Sequence, residues 1–286
     1  TQVAGDGVRV KWYDNADQVG FPEAGLQHTL LDAPDSFVPM SIARPPGTLN
    51  RVAFWNVNNR MDELFAQQAM KRILQAVDPD ILALSEVSNV SASYVAGLLS
   101  DWLPLEGGAT WNVVKDDWDL MVASKGAILS SFPSVMRQFP ALVEGHPGWG
   151  VPLLITSSHL KCCGGSSNEA QRQAEADEYM AFLRDAMNGE GELALAPNSP
   201  VVYGGDLNMV GLDDPIYTLV SGDISDETTY GPDFNPDWDG TALTEQPLLQ
   251  TDHGFDFTWM SSNTNSEWMP GKLDYLITSD ASVELM

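Results

Sequence analysis

The run Val201-Val202-Tyr203-Gly204-Gly205-Asp206-Leu207-Asn208 ends an apolar stretch in two glycines, then offers a carboxylate and a carboxamide two residues apart. Side chains of an extended chain alternate between faces, so Asp206 and Asn208 point the same way if strand geometry continues. Glycines let the backbone turn or let a ligand come close. Such a pair at a strand end suits an oxygen-rich ligand, for instance a phosphate with a hard metal ion. A turn after a buried strand is the competing reading of this run alone, since Gly, Asp and Asn all favour turns.

Three further polar clusters close apolar runs in the same manner. Asn56 and Asn58 follow Arg51 to Trp55, Glu86 follows Ile81 to Leu84, and His159 follows Val151 to Ser157. Asp274 falls inside a fifth run, Leu273 to Thr278. Taken singly, Glu86 could begin a solvated loop, His159 could be a satisfied buried histidine, the asparagines could form turns and Asp274 could pair with Lys272. Together they argue for convergence, because the strand ends of a layered sheet meet at one crevice, where chemistry is usually placed.

The segments between these runs supply the scaffold. Asp62 can cap a helix to about Val77, with Met70, Ile73, Leu74 and Val77 on one face, and Asp78-Pro79-Asp80 stops it. A second helical signal covers Val90 to Trp102. Asn168 can cap the longest helix, to about Met187, with Ala176, Met180, Leu183 and Met187 inward and Asn188-Gly189 as its stop. Strands are expected at Trp111 to Val114, Leu120 to Ala123, Ala127 to Ser131 and Phe255 to Met260. Residues 223–250 read as a long polar loop with a short helix. Helices between strands, joined to runs of consecutive strands, indicate a layered α/β domain. Residues 1–47 read as an appendage in which Val8 to Tyr13 alternates as a strand and Arg44-Pro45-Pro46-Gly47 is a linker.

Composition sets limits on partners. A chain of 286 residues can bury a substantial core. Acidic residues outnumber basic ones 40 to 14, a formal charge of −26. That field repels polyanions unless salt screens it or metal ions neutralise the cleft, and it also fits solubility in a salty medium. No run is long and apolar enough to span a membrane. Cys162 and Cys163 are the only cysteines. A bond between neighbours closes a small strained ring, so two free thiols are the default, with a redox or loop-bracing role left open by their place after His159-Leu160-Lys161.

The order of five segments resembles the endonuclease/exonuclease/phosphatase superfamily, the group with the pancreatic deoxyribonuclease fold. They are Arg51-Val-Ala-Phe-Trp-Asn56-Val-Asn58, Asp78-Pro-Asp-Ile-Leu-Ala-Leu-Ser-Glu86-Val, Ser158-His159-Leu-Lys, Gly205-Asp206-Leu-Asn208 and Lys272-Leu-Asp274-Tyr-Leu-Ile. Each is short, and their shared order carries the weight. The His-Leu-Lys run, followed by Asn168 and Arg172, looks closest to secreted bacterial nucleases of the group. The resemblance implies a four-layer α/β/β/α sandwich of two packed mixed sheets over residues 48–286, with residues 1–47 as a short N-terminal β appendage.

It also implies roles. Glu86 would be the main ligand of a divalent ion, usually Mg2+ with Mn2+ or Ca2+ as alternatives, and Asn56 and Asn58 would shape its shell, Asn56 also facing substrate. Asp206 would orient or deprotonate the attacking water, Asn208 would hold the scissile phosphate, and His159 would donate to it as charge builds. Asp274 would orient a second histidine, and Arg172 is a further phosphate contact. The implied substrate is a phosphodiester, nucleic acid first. Runners-up are a sphingomyelinase-like phospholipase C, for which loop residues Trp149, Trp238 and Trp268 could meet lipid, a phosphomonoesterase, or a binding module without catalysis. Family members usually close with a Ser-Asp-His strand end. Ser279-Asp280-Ala281 does not supply it and Asp252-His253 comes in the wrong order, so a further C-terminal segment is expected. A secreted or periplasmic monomer is the expected setting.

Overall fold

The computed structural model describes residues 42–44, 47, 50–133, 135–145, 150–249, 255–261 and 269–283. The chain divides into two compact units, Thr1–Met40 with Ser261–Met269, and Ser41–Met260 with Pro270–Met286. The strand expected at Val8 to Tyr13, and with it all of the appendage but residues 42–44 and 47, lies outside the described residues, as do Trp149, His253 and Trp268. The strands and helices of the described residues all belong to the second unit.

Two mixed sheets form its centre. The first has four strands, β1 (Val52–Asn56), β2 (Ile81–Ser85), β3 (Asn112–Lys115) and β4 (Leu120–Ser124), in the order β1-β2-β4-β3. The second holds β5 (Ile128–Ser131), β6 (Gln138–Val143), β7 (Leu153–His159), β8 (Val201–Asp206), β9 (Thr244–Glu245) and β10 (Asp274–Thr278), in the order β5-β6-β7-β8-β10-β9. Only β1 with β2 and β7 with β8 pair in parallel, and each of these pairs is joined by a helix, α1 (Leu64–Val77) or α3 (Ser166–Asn188). Parallel neighbours need such a crossover.

The alternation of apolar side chains explains the layering. Ile81, Ala83, Leu120 and Val122 from one sheet meet Phe139, Ala141, Leu153, Ile155 and Val202 from the other in a core between the sheets. The intervening residues Leu82, Leu84, Met121 and Ala123 face outward onto α1 and α2 (Ala92–Trp102), where Met70, Leu74, Val95 and Leu99 cover them. Leu154, Val201 and Tyr203 likewise turn to α3 and α4 (Asp214–Ser221), under Ala176, Met180, Leu183 and Leu219. The result is the α/β/β/α sandwich implied by the resemblance. Its central strands are apolar on both faces because both faces are covered.

Several local expectations need correcting. Asp62 does not cap α1; Glu63 stands at that position without a capping side-chain bond, and Asp62 Oδ1 instead accepts from Asn89 Nδ2 at 2.7 Å. Ile73 is 46% exposed, leaving Met70 and Leu74 as the inward residues. The longest helix starts at Ser166, and Asn168 Nδ2 donates to Gly164 O from within its first turn. β6 was hidden by Pro140. Proline is tolerated there because it lies opposite Phe132, just past the end of β5, where Phe132 N donates to Pro140 O and only the return bond is missing. α4 was also missed, although Pro215 inside its first turn and Gly222 after its last residue are its punctuation. Phe255 to Met260 forms no strand, only a bridge from Trp259 to Gly271. Residues 223–250 do carry the short helix, α5 (Glu227–Tyr230), and α6 (Asp280–Val283) follows β10. Among the described residues no helix is long and apolar enough to cross a membrane.

Candidate active site

Strand register aligns the sequence clusters within each sheet, and a bond from Asn56 to Asp206 joins the two sets. Parallel pairing sets Asn56 opposite Ser85, the residue before Glu86. It also sets His159 opposite Asp206, and β10, antiparallel to β8, sets Asp274 opposite Asp206. Asn56, Asn58, Glu86, Asp206, Asn208 and Asp274 line one cleft of 680 Å³. Its remaining wall is largely apolar, with Phe54, Trp55, Leu248, Trp259 and Leu273 beside Thr258. The two glycines of β8 make the junction possible. A Cβ on Gly204 would sit 2.7 Å from Tyr275 O and 3.2 Å from the Phe54 ring; on Gly205, at φ +134°, it would lie 2.1 Å from Ser158 O. They therefore admit neighbouring strands and the facing sheet, not a ligand.

The polar side chains form a connected set. Asn56 Nδ2 donates to Glu86 Oε1 at 2.8 Å and to Asp206 Oδ2 at 3.0 Å, holding two carboxylates together. Asn58 N donates back to Asn56 Oδ1. Asn208 N donates to Asp206 Oδ1 at 3.0 Å and Asn208 Nδ2 to Leu160 O at 3.1 Å, which commits one amide donor to the loop after His159. Glu86, Asn58 and Asn208 all take φ near +50°, a conformation that costs about 1–3 kcal/mol for a non-glycine residue and persists only where surroundings enforce it. Those surroundings are visible at Glu86: its carbonyl accepts from Asn59 N, and Lys115 Nζ clamps the carbonyls of Val87, Ser88 and Val90.

His159 is oriented by a residue the sequence reading missed. Its Nδ1 lies 2.9 Å from Asp119 Oδ2, leaving Nε2 3.8 Å from Glu86 Oε1. Burial is the largest single influence on this imidazole and lowers its pKa, but the Asp119 hydrogen bond with the charges of Asp119 and Asp206 outweighs it, so His159 holds its proton above the usual histidine range. Asp119 stands just before the apolar run of β4, in Asp116-Asp117-Trp118-Asp119. The same signal, an acid at the edge of an apolar run, could have found it. Asp206 is pushed the other way for an acid. Burial first, then the charge of Asp274, raise its carboxyl above the usual carboxylate range, against the bonds from Asn56 and Asn208 and the nearby His159.

The donor set fits a hard divalent cation. Ligand atoms of Glu86, His159 and Asp206 all lie within 4.8 Å of one another. Two carboxylates and neighbouring amide oxygens, in a cleft open to water, offer the oxygen ligands that a hard divalent cation takes.

Arg172 does not belong to this cleft. Its side chain is fully buried; Nη1 donates to the carbonyls of Lys161 (2.8 Å) and Cys163 (2.9 Å), and Nη2 to Val210 O (2.7 Å). It therefore ties the loops that follow His159 and Asn208 to α3, and contacts no phosphate position. A lone basic residue in the helix after the His-Leu-Lys run could not be told from a substrate contact by spacing. Glu175, also buried on α3, accepts from Lys161 N at 2.8 Å. Trp238 is held by its own structure too, with Nε1 donating to Ser199 O. His159 is the one histidine among the described residues, so no partner for Asp274 is found there.

The sequence profile of the Endonuclease/Exonuclease/phosphatase family matches residues 53–285. No curated protein sequence matches. Among solved structures, TDP2 from C. elegans is 20% identical with a TM-score of 0.52, over 80% of this chain and 64% of that one, so the chain spans under two thirds of that relative's length. A β-hairpin deletion mutant of beta toxin from Staphylococcus aureus is 15% identical with a TM-score of 0.52, over 81% and 87% of the two chains. SmcL is 16% identical with a TM-score of 0.51, over 81% and 83%.

Proposed function

Because this chain belongs to the endonuclease/exonuclease/phosphatase family, we propose that it is a divalent-metal-dependent phosphodiesterase whose first substrate class is nucleic acid. The observation that carries the reading is the meeting of Glu86, His159 and Asp206 around Asn56. A divalent cation, Mg2+ first and Mn2+ or Ca2+ as alternatives, would be held by Glu86 with Asp206 in reach, and would supply charge stabilisation to the phosphoryl oxygens.

The chain's own residues divide the remaining work. Asp206, with a carboxyl of raised proton affinity, orients the attacking water and accepts its proton. His159 keeps Nδ1–H on Asp119 and presents Nε2 to the phosphoryl group, donating a hydrogen bond as negative charge grows. The second donor of Asn208 serves the same oxygens. Trp55 and Trp259 offer ring faces on which an unstacked base could lie.

A second reading is favoured by one observation. Among the described residues no Lys or Arg lines the cleft, and the chain carries −26 overall. A diester with an uncharged or zwitterionic substituent, as in a phosphocholine lipid, would meet less repulsion there than a polyanion. The test is hydrolysis of single-stranded DNA, plasmid, RNA, sphingomyelin vesicles and bis-p-nitrophenyl phosphate with Mg2+ or Mn2+, repeated in chelator. Metal-dependent cleavage of at least one diester, lost in Glu86→Gln, is the expected result. Which diester is cleaved chooses between the two readings; equal activity in chelator would refute both. A secreted or periplasmic location, proposed from the resemblance and the acidic composition, is checked by cell fractionation.

A further inference from the structure

The two cysteines of the sequence are used by nothing described so far, yet they stand three and four residues beyond His159 with their side chains turned toward each other. Cys163 Sγ donates to Cys162 Sγ at 2.8 Å, closer than two sulfur atoms in ordinary contact. Cys162 is partly exposed and Cys163 exposed, so a solution oxidant can reach them. Adjacent cysteines can place their side chains apart; here both rotamers converge. No other cysteine occurs in the sequence, so a disulfide within this chain has one choice of partners.

The backbone around the pair is anchored on both sides. Leu160 N donates to Asp206 O, Lys161 N to Glu175 Oε2, and Arg172 Nη1 holds the carbonyls of Lys161 and Cys163. The Cys162–Cys163 peptide lies between those two carbonyls. Cys163 already takes φ +78°, a conformation unusual for a residue with a side chain, and Gly164 and Gly165 follow it. A bond between neighbouring sulfurs closes a ring that contains this same peptide, so closure must turn it.

We propose that Cys162 and Cys163 are an oxidisable dithiol that closes to a vicinal disulfide with a disulfide oxidant, and that closure loosens the Arg172-held loop that follows His159. The chemistry is thiol–disulfide exchange. The Cys162 thiolate attacks one sulfur of glutathione disulfide, giving a mixed disulfide and one glutathione thiolate. Cys163 loses its proton to water and attacks Cys162 Sγ, forming the S–S bond and releasing a second glutathione thiolate. Two protein thiols are oxidised, one glutathione disulfide is reduced, and two protons are released. Cys163 keeps its proton to higher pH than an ordinary thiol, first because it donates to the Cys162 sulfur. The second step is fast because its nucleophile is tethered next to its target.

The experiment incubates the full chain with glutathione disulfide, alkylates with iodoacetamide and reads intact and peptide masses. The expected wild-type product is a monomer with no alkylation and a peptide over residues 162–163 lighter by two hydrogens, while Cys162→Ser and Cys163→Ser each accept one glutathione. Wild-type chains that accumulate glutathione adducts, or linked dimers, as the single variants do would overturn the dithiol. A second arm measures amide hydrogen exchange across residues 159–163 and hydrolysis of bis-p-nitrophenyl phosphate. Exchange rises and hydrolysis falls several-fold on oxidation, both restored by dithiothreitol and both absent in Cys162→Ser. Unchanged exchange and hydrolysis in the fully oxidised chain would refute the link to His159. Only the hydrolysis readout rests on the proposed phosphodiesterase; a reduced chain inactive on every diester defeats that reading, while mass and exchange still decide this one.

Discussion

The two ends of β2 hold acidic residues in opposite circumstances. Before Ile81, the Asp80 carboxylate takes Arg44 Nη1 and Nη2 at 2.6 and 2.9 Å, Lys125 Nζ at 3.1 Å and Arg51 N at 2.8 Å. Burial is the largest single influence there and would raise its pKa, but these donors together hold it below the usual carboxylate range. After Ser85, Glu86 and Asp206 share the amide of Asn56 and the neighbouring imidazole of His159, with Asp274 and Asp119 close by, and the buried Asp206 carboxyl is held above that range. One end carries its full countercharge in the fold. The other sets one imidazole among several acids and leaves the rest to a ligand, and that difference separates structural acids from those arranged for chemistry.

The sharpest way to break the comparison is to neutralise each end. Asp206→Asn is expected to cut diester hydrolysis about 10²–10⁴-fold, the usual scale for removing a proton-accepting group, while the melting temperature in chelator holds or rises because a like-charge contact is relieved. A variant with near-normal turnover would place the chemistry elsewhere. Asp119→Asn should cost about 10–100-fold and move the alkaline limb of the rate profile to lower pH. The sign follows from His159, whose raised proton affinity depends on that carboxylate; an unmoved limb would mean the pair does not set the imidazole's charge.

Asp80→Asn should do the reverse. Loss of a partly buried, multiply bonded carboxylate is expected to lower stability by about 1–3 kcal/mol in a denaturant titration, with kcat unchanged; a large fall in kcat would erase the distinction between the two ends. The smallest effect is the pH dependence of these differences, measured in chelator. Asp80 has a depressed folded-state pKa, so its stabilisation is full above the unfolded value of about 3.9 and fades as pH falls through its lower folded value. Asp206 has a raised folded-state pKa, so its ionised form is a cost that is absent below about 3.9 and grows as pH rises through the raised value. Denaturant midpoints at neutral and acid pH should therefore show a deficit for Asp80→Asn and a gain for Asp206→Asn, both shrinking in acid. Differences of the same sign would contradict the assigned directions.

How much of this was legible in the sequence depends on the range of the interaction. Glu86, His159 and Asp206 were readable because each terminates an apolar run, and Asp274 because it sits within one, and strand ends converge in a layered sheet. The parallel runs Ile81 to Leu84 and Val201 to Tyr203 were readable because double-faced burial leaves an unbroken apolar signature. β6 was not, since Pro140 mimics a break and only the end of β5 excuses it. Asp119 could be marked as an acid at the edge of an apolar run, but its role could not be read, and Arg172 was misjudged for the same reason. Their partners, His159 in one case and three carbonyls on two loops in the other, are brought by tertiary contacts that residue type and spacing do not encode.

Gly204 and Gly205 carry a further consequence. Each is fixed by its neighbours' atoms, a carbonyl and the Phe54 ring against one and a carbonyl against the other, and Gly205 also by its dihedral. A saturation library scored only for cellular abundance should therefore empty both columns, with no assay of turnover, while the adjacent Asp206 column stays populated. Three consecutive codons would then mark, by survival alone, where the requirements of assembly stop and those of reactivity begin.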